Sequence, residues 1–347
     1  MKKQNVLALA LKPAMRVTES VGISTMLMLT AALIAMITPS AVSASSPCHA
    51  PIATRLVTGL QGAMGSTIGP DGALYVTEGA IGTISRVDPQ TGEKTTFASG
   101  LPPAIIGIGG AIDVAFIDNT AYVLVTLVND PLFPSSNVDG IYRVDGPDSF
   151  TVVADIGAFN LANPPTIQFP YFIATGLQYA LQTYRGGFLV ADSHLNRVLR
   201  VTLDGEISVL IPFDNIVPTG LAVRGNTVYM AEAGPDPHLP QNGKVVSFGA
   251  RSPTATEVAS DVPFLLDVEF GGGSLYALSH GTVDPNIDPS NAVAYTGALV
   301  KINEDGTFTH IVDGLDRPTS LEFIGNTAYV VTLTGEIWKI DGVSCPH

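Results

Sequence analysis

The chain has 347 residues and a formal net charge of −14; 46% of its residues are hydrophobic and only 14% are charged. This composition excludes a disordered chain, and the 35 glycines and 25 prolines favour a turn-rich, all-β protein. The acidic charge disfavours nucleic acid or an anionic membrane surface as a partner.

The first 44 residues resemble a targeting segment. Four basic residues precede an apolar run over residues 21–37, and small residues at Val42 and Ala44 predict cleavage after Ala44. We therefore interpret residues 1–44 as a signal peptide and expect a secreted or periplasmic protein without a membrane anchor. An uncleaved anchor is the alternative, because an apolar run of 17 residues is just long enough to span a bilayer.

A short pattern recurs six times in the rest of the chain: a small or turn residue, a hydrophobic residue that is usually tyrosine, then more hydrophobic residues. The equivalent positions are Tyr75, Tyr122, Leu189, Tyr229, Tyr276 and Tyr329. Most spacings are 40 to 53 residues, with one of 67. Units of this length with several short strands are typical of propeller blades. The sequence therefore predicts a six-bladed β-propeller over residues 45–347, with its site at the rim of a central channel.

Each unit reads as four short strands separated by turns. In the first unit we predict strands over residues 64–68, 73–77, 83–87 and 94–98, because Pro-Asp-Gly and Thr-Gly turns separate apolar runs. Helical periodicity is absent after residue 44, so we expect no helix there.

The last unit has only three strands before the chain ends. Residues 52–59 form a spare strand, and pairing it as the outer strand of the last blade would close the ring. Antiparallel pairing would bring Cys48 near Cys345, so we predict a disulfide between them in an oxidising compartment. The alternative is two free thiols.

Several segments carry a resemblance to a known family. Residues 188–201, Phe-Leu-Val-Ala-Asp-Ser-His-Leu-Asn-Arg-Val-Leu-Arg-Val, resemble an NHL-type propeller repeat. Together with residues 153–159, 217–223 and 297–302, this stretch is similar to the ScyD/ScyE family of secreted propellers. That family usually carries Asp-Ser-Asn-Pro-Tyr, of which only Pro170-Tyr171 survives here. The resemblance implies the fold and brings no reaction.

Two aspartates are predicted to face the channel. The position nine residues before the repeated tyrosine holds Ser66, Asp113, Gly220, Asp267 and Ser320; allowing a longer hairpin, Gly176 fills it in the third unit. Asp113 and Asp267 fall in opposite blades of a six-fold ring. Two inward carboxylates repel, so we expect a raised pKa in at least one of them unless a cation or water lies between.

A second acidic set follows the repeated tyrosine by three residues: Glu78, Asp192 and Glu232. The second strands end at the face where the first strands begin. These three carboxylates and those of Asp113 and Asp267 are therefore predicted to form a ring around one mouth of the channel. Oxygen ligands of this kind suit Ca²⁺. Alternatively the acidic residues cap amides of their own loops.

Three histidines, His194, His238 and His280, occur in the same type of loop in consecutive units. Imidazoles there could bind a transition metal or act as general bases; the alternative is that they are solvated. Long loops over residues 128–138 and 280–296 are expected to project over the same mouth.

Three hypotheses follow. The first is a monomeric protein that binds a small molecule or an extracytoplasmic protein at the acidic mouth, with Ca²⁺ as a candidate cofactor. The second is an enzyme resembling calcium-dependent lactonases and strictosidine-synthase-like propellers, in which replacing Asp113 abolishes turnover with little effect on stability. Those propellers use channel asparagines, and no ring position here is Asn. The third is a scaffold without catalysis.

Overall fold

A computed structural model describes residues 50–167, 173–249, 252–284, 286 and 292–343 of the chain, with residues 252 and 253 described by their backbone alone. These residues form six four-stranded antiparallel sheets arranged as the blades of a six-bladed β-propeller. The predicted fold class is confirmed. The proposed signal peptide, Pro170-Tyr171, Cys48 and Cys345 lie outside the described residues.

The first three blades follow one another along the chain. Blade 1 contains β2 (Ala63–Ile68), β3 (Leu74–Glu78), β4 (Thr83–Val87) and β5 (Lys94–Ser99). Blade 2 contains β6 (Gly110–Ile117), β7 (Thr120–Thr126), β8 (Gly140–Gly146) and β9 (Ser149–Asp155). Blade 3 contains β10 (Gln178–Tyr184), β11 (Gly187–Asp192), β12 (Arg197–Val201) and β13 (Ile207–Pro212). The strands predicted for the first unit match these bounds within one residue.

The last three blades include the one that closes the ring. Blade 4 contains β14 (Pro218–Arg224), β15 (Thr227–Glu232), β16 (Lys244–Gly249) and β17 (Ser252–Ser260). Blade 5 contains β18 (Leu265–Gly271), β19 (Ser274–Ser279), β20 (Gly297–Ile302) and β21 (Phe308–Leu315). Blade 6 contains β22 (Pro318–Ile324), β23 (Thr327–Thr332), β24 (Ile337–Asp341) and β1 (Ile52–Val57). Strand β1 pairs antiparallel with β24, and Ile52 lies opposite Asp341. The predicted closure by the amino-terminal strand is confirmed.

The repeated tyrosine holds neighbouring blades together. Tyr75 in blade 1 lies 4.8 Å, centroid to centroid, from Phe116 in blade 2. The same tyrosine-to-phenylalanine contact joins blades 2 and 3, blades 4 and 5, and blades 5 and 6 at 4.9 to 5.2 Å. Aromatic pairs at these distances add stabilisation beyond the buried area. The motif that marks each blade in the sequence is therefore a packing element between blades.

The expectation that no helix follows residue 44 is wrong. A seven-residue helix, α1 (Ile156–Ala162), connects β9 to the third blade. The side chain of Asp155 accepts a hydrogen bond from the N–H of Ala158 and caps the helix at its amino end. Only two turns are formed, which is too short for a hydrophobic period to show in the sequence. Two short 3₁₀ turns (Gly79–Ile81 and Pro240–Asn242) complete the helical structure of the described residues. No helix in these ranges is long and apolar enough to cross a membrane.

Candidate functional site

We call the face where the first strands begin and the second strands end the upper face, and the opposite one the lower face. The first strand of each blade lines the channel, because a cavity of about 240 Å³ is enclosed almost entirely by these six strands. The cavity is lined down to Ile68, Phe116 and Thr183 near the lower ends of their strands. The cavity thus occupies the middle and lower part of the channel.

Asp113 and Asp267 face this cavity, as the nine-residue offset predicts. Oδ2 of Asp113 accepts a hydrogen bond from the N–H of Leu181 in the next blade, at 2.7 Å. Oδ2 of Asp267 does the same with the N–H of Leu321, at 2.8 Å. Each Oδ1 accepts the N–H of the following residue, Val114 or Val268. Both oxygens of both carboxylates are therefore engaged by backbone amides.

A glycine of the preceding blade contacts each of these aspartates. A Cβ on Gly220 would lie 2.5 Å from both Cα and Oδ1 of Asp267, and one on Gly65 would lie 2.7 Å from Cα of Asp113. Only glycine permits such an approach. The arrangement of glycine, aspartate and leucine amide in blades 1 to 3 thus recurs in blades 4 to 6, half a turn around the ring.

The placement of Gly176 as the channel residue of blade 3 is wrong. In blade 3, Ala180 lies opposite Ala191, just as Asp113 lies opposite Leu124 in blade 2. Ala180 also lines the cavity, so it is the channel residue of blade 3. Gly176 has a φ of +77° and lies in a turn before β10. No longer hairpin is needed, because the nine-residue offset holds in blade 3 as well.

Two further carboxylates, Glu269 and Glu322, line the same cavity and were not predicted. Each follows a channel position by two residues and faces the same side of its strand. Burial raises the pKa of Glu269 to about 7, and the Arg224 charge opposes that rise. Burial, with the charges of Glu269, Asp267 and Asp113, raises the pKa of Glu322 well above its ordinary value. The period-two alternation of a strand would have identified both residues.

The two predicted aspartates show the expected electrostatics. Burial raises the pKa of Asp113 to about 7, although the amides of Leu181 and Val114 lower it. Burial, then the charges of Glu269 and Asp113, raise the pKa of Asp267. Near neutral pH, carboxyl groups in the folded channel therefore keep protons that the same groups would have lost in the unfolded chain.

Glu78 and Asp192 lie elsewhere. Glu78 is 1% exposed, and its carboxylate accepts hydrogen bonds from the Ser85 hydroxyl and the Gln61 amide and lies 3.4 Å from Lys94 Nζ. Asp192 is fully buried in a network with Arg197, whose Nε donates at 2.8 Å, and with the amides of Gln178 and Asn160. Both side chains have structural partners within the upper half of their blades.

Glu232 lies at the upper end of β15, opposite Lys244 in the register. It is 5% exposed, and burial raises its pKa to about 7 although the Lys244 charge opposes that rise. Glu78, Asp192 and Glu232 thus lie at the upper ends of second strands, whereas Asp113 and Asp267 lie lower in the channel. Among the described residues no three His, Cys, Asp or Glu side chains are placed to hold a metal ion. The five predicted carboxylates therefore do not form one ring, and Ca²⁺ as a cofactor stays a prediction.

Two of the three predicted histidines, His238 and His280, contact the ring of Phe264 at the upper face, and the third, His194, lies near His238. The ring of His238 stacks on Phe264 with centroids 4.0 Å apart and planes 17° from parallel. His280 meets the same ring edge-on at 4.9 Å. His194 lies close enough to His238 for the two rings to influence each other's protonation. We call these four residues the histidine cluster.

Backbone carbonyls fix the rings of two of the three histidines. Nδ1 of His280 donates to the carbonyl of Pro318 at 3.0 Å, and Nδ1 of His238 donates to the carbonyl of Gly234 at 2.7 Å. A carbonyl can only accept, so these contacts place the proton on Nδ1. For His280 this leaves Nε2 as a hydrogen-bond acceptor. Nδ1 of His194 is buried and has no hydrogen-bond partner among the described residues.

The cluster is neutral at physiological pH. Burial and, to a smaller extent, the nearby His238 together lower the pKa of His194 to about 4. Burial likewise lowers the pKa of His280 to about 4, although its bond to the Pro318 carbonyl opposes that change. Burial also lowers the pKa of His238. Uncharged imidazoles of this kind accept protons or hydrogen bonds and stack on rings.

The upper face around this cluster is rich in apolar side chains. Ten of the fourteen exposed large hydrophobic residues in the described ranges lie on its loops and connections. They are Ile81, Ile105, Ile106, Ile108, Leu132, Leu161, Ile167, Leu239, Val293 and Tyr295. Apolar exposure concentrated on one face is typical of a binding surface. The upper face therefore carries exposed apolar residues and the histidine cluster, whereas the carboxylates of Asp113 and Asp267 lie lower, in the channel.

Comparisons with known proteins support the fold. Neither a family model nor a curated protein matches the chain. Among solved structures, a gluconolactonase from Xanthomonas campestris has a TM-score of 0.56 at 12% identity, covering 83% of this chain and 89% of that one. A catalytically inactive His-to-Ala variant of virginiamycin B lyase from Staphylococcus aureus has a TM-score of 0.51 at 14% identity, over 84% of this chain and 98% of that chain.

A third similar structure is regucalcin, a calcium-binding protein from Agrobacterium tumefaciens, with a TM-score of 0.53 at 14% identity, over 82% of this chain and 90% of that one. Identities this low establish the architecture alone. The chain is a six-bladed β-propeller, and its similarity to the ScyD/ScyE family stays a prediction.

Proposed function

We propose that this protein binds a small, largely apolar organic molecule at the histidine cluster on the upper face of the propeller. One observation carries the proposal: the uncharged imidazoles of His238 and His280 pack against the ring of Phe264, and the buried Nδ1 of His194, near His238, lacks a partner among the described residues. A buried acceptor without a donor costs about 1–3 kcal/mol. A ligand that donates a hydrogen bond to this nitrogen would recover that energy.

The surroundings define the chemistry of the ligand. Exposed apolar residues such as Leu239 and Tyr295 border the cluster's face and favour an apolar body. The neutral histidines favour an N–H or O–H donor and a planar group that stacks. The net charge of −14 disfavours a multiply charged anion.

Channel Ca²⁺ is not part of this proposal. The oxygens of Asp113 and Asp267 already accept four backbone N–H groups, and Asp192 is neutralised by Arg197. A lactonase-like reaction that uses Asp113 and Asp267 as metal ligands would have to use the remaining lone pairs of oxygens that already accept a backbone N–H. The likeness to regucalcin and gluconolactonase therefore supports the framework and leaves the site to be argued from this chain's own residues.

A second candidate function, acid–base catalysis of hydrolysis or elimination, is favoured by the same unpartnered nitrogen. His194 is a neutral base, and Glu232, with its pKa raised to about 7 by burial, is a carboxylic acid that can donate a proton. A lactonase and a lyase are among the similar structures, and the lyase is inactive when a histidine is replaced by alanine.

The test is a thermal-shift screen of apolar amides, lactones and aromatic alcohols on the wild type and on His194→Ala. At a ligand concentration of 100 Kd, binding stabilises the folded state by about 2.7 kcal/mol. We expect compounds that raise the midpoint of the wild type to have no effect on His194→Ala, while His310→Ala, which alters an exposed histidine on blade 5, behaves as wild type. Equal shifts in His194→Ala would refute the site.

The catalytic candidate is separated from simple binding by assaying lactones and aryl esters. Enzymatic turnover must be lost in His194→Ala and must persist at pH 5, because a base with a pKa of about 4 is still unprotonated there. Binding without turnover leaves the first proposal intact and eliminates the second.

A further inference from the structure

A second cavity, of about 250 Å³, lies beside blade 2, between the loop that follows β7 and helix α1. Its lining includes Asp130, Asp139 and Asp155, with no lysine, arginine or histidine among the described residues that enclose it. It shares no residue with the histidine cluster or the channel. Nothing in the proposed function uses it.

One side chain in this cavity has an unmet bonding requirement. Asp139 is 1% exposed, and its Oδ1 accepts the N–H of Val128 at 2.7 Å. Its Oδ2 is buried and has no hydrogen-bond partner among the described residues. A buried carboxylate oxygen without a partner is costly, because desolvation is then uncompensated.

A second carboxylate lies beside it. Asp130 is also 1% exposed, and its Oδ2 accepts both the amide and the hydroxyl of Thr175, at 3.0 and 3.1 Å. The pKa of Asp139 is raised to about 6, chiefly by burial. The Thr175 hydroxyl opposes this rise, and the Asp130 charge adds to it. The Thr175 hydroxyl donates to Asp130 and leaves Asp139 Oδ2 without a donor, so a cation in the cavity would balance the charge of both carboxylates.

The rim of the cavity supplies more oxygen. Asp155 is exposed, and its Oδ1 and Asp139 Oδ2 each lie 3.6 Å from the point where a Cβ on Gly157 would stand. The absence of a side chain at Gly157 therefore leaves open the space between the two carboxylates. Asn129, whose Oδ1 accepts the Ser135 amide at 3.0 Å, adds an amide oxygen to the lining.

We propose that this cavity is a Ca²⁺ site in which Asp139 and Asp130 are the charged ligands and amide and water oxygens complete the coordination. The donors are all oxygen, which Ca²⁺ prefers and which transition metals do not select. Two buried carboxylates match the charge of one divalent ion. A cavity of this size leaves room for the several waters that a site with few protein ligands retains.

The test is calorimetric titration of the chelator-treated protein with CaCl₂. We expect one Ca²⁺ per chain with a Kd of about 0.1–1 mM, the range of weak calcium modules. Asp139→Asn preserves the shape of the side chain and removes its charge, so Ca²⁺ binding should weaken by about tenfold or more. Asp148→Asn, in the exposed β8–β9 turn of the same blade, is the matched control and should bind as wild type.

A second variant keeps every carboxylate. Gly157→Ala places a methyl group 3.2 Å from Asp139 Cβ and 3.6 Å from Asp139 Oδ2, so it crowds the Asp139 side chain without removing a carboxylate. It should also weaken Ca²⁺ binding, and it decides the question if Asp139→Asn fails to fold. No Ca²⁺ binding by the wild type, unchanged binding in Gly157→Ala, or preferential binding of methylammonium over Ca²⁺ would each overturn the proposal.

Discussion

Oδ2 of Asp267 accepts a hydrogen bond from the N–H of Leu321, 2.8 Å away, so a side chain of blade 5 fastens the inner strand of blade 6. Asp113 and Leu181 form the same bond between blades 2 and 3. Between blades 6 and 1, the hydroxyls of Ser66 and Ser320 lie 2.9 Å apart. The channel is thus held together by polar contacts between neighbouring inner strands.

This arrangement predicts that Asp113→Ala and Asp267→Ala destabilise the fold. Each leaves a backbone N–H of the adjacent blade without its acceptor, at a cost of about 1–3 kcal/mol. The free energy of unfolding from urea titrations at pH 7 measures the effect, and Asp148→Ala in an exposed turn is the control. The expectation that Asp113 could be replaced with little change in stability is thereby reversed; an unchanged midpoint in both variants would restore it.

The close approach of Gly220 to Asp267 gives a second prediction. In Gly220→Ala the new Cβ would stand 2.5 Å from the Cα of Asp267, so the inner strands of blades 4 and 5 must separate. We expect a loss of about 1–3 kcal/mol in the free energy of unfolding, typical of overpacking. Gly249→Ala is the matched control, because a Cβ there meets no atom within 4 Å. Equal stability of the two variants would show that the strands yield without cost.

The channel carboxylates predict the pH dependence of stability. Asp113 and Glu269 have pKa values raised to about 7, and the pKa of Glu322 is raised further, so the folded protein holds more protons than the unfolded chain from about pH 4 upward. Stability therefore falls as pH rises through this window. His194 and His280, with pKa values near 4, act oppositely between about pH 4 and 6.5.

The decline should accordingly be least offset above about pH 7.5, where histidines of the unfolded chain, with an ordinary pKa of about 6.5, are almost fully deprotonated. Glu322→Gln removes one of the retained protons and should flatten the slope of unfolding free energy against pH by up to about 1.4 kcal/mol per pH unit. Urea titrations at half-unit intervals from pH 5 to 9 measure this. A slope identical to that of the wild type would mean that Glu322 is ionised in the folded state.

The protonation of the histidine cluster is predicted directly. His280 should show the Nδ1–H tautomer, since Nδ1 donates to the Pro318 carbonyl, and both His280 and His194 should stay neutral until the pH approaches 4. Nitrogen-15 imidazole spectra recorded from pH 4 to 8 report tautomer and charge together, with the exposed His310 as the reference resonance. Titration of His194 or His280 near pH 6.5 would contradict the burial that defines the cluster.

Most of the architecture could be predicted because it rests on local signals. The tyrosine repeat marks the second strand of five blades, and the turns after Ile68 and Val87 fix the strand bounds. The position of Asp113 in the channel follows from its offset within a hairpin. Its role does not, because the amide it binds belongs to Leu181, 68 residues away.

The candidate site was harder to predict for the same reason. That His194, His238 and His280 share a loop type could be seen in the sequence, but the contacts of His238 and His280 with Phe264 depend on how the blades pack. Glu78 and Asp192 have the same spacing as channel ligands would have, yet Ser85 and Arg197 engage them inside their own blades. Spacing alone cannot separate a ligand from a side chain that is already paired.

The pairing of β1 with β24 has a consequence for how the protein is made. The hydroxyl of Thr54 donates to the carbonyl of Lys339, 285 residues further along the chain. The ribosome therefore makes more than 280 residues between the two strands that close the ring. Strand β1 has no partner in the growing polypeptide until β24 has been synthesised, so blade 6 is completed after the other five blades have been made.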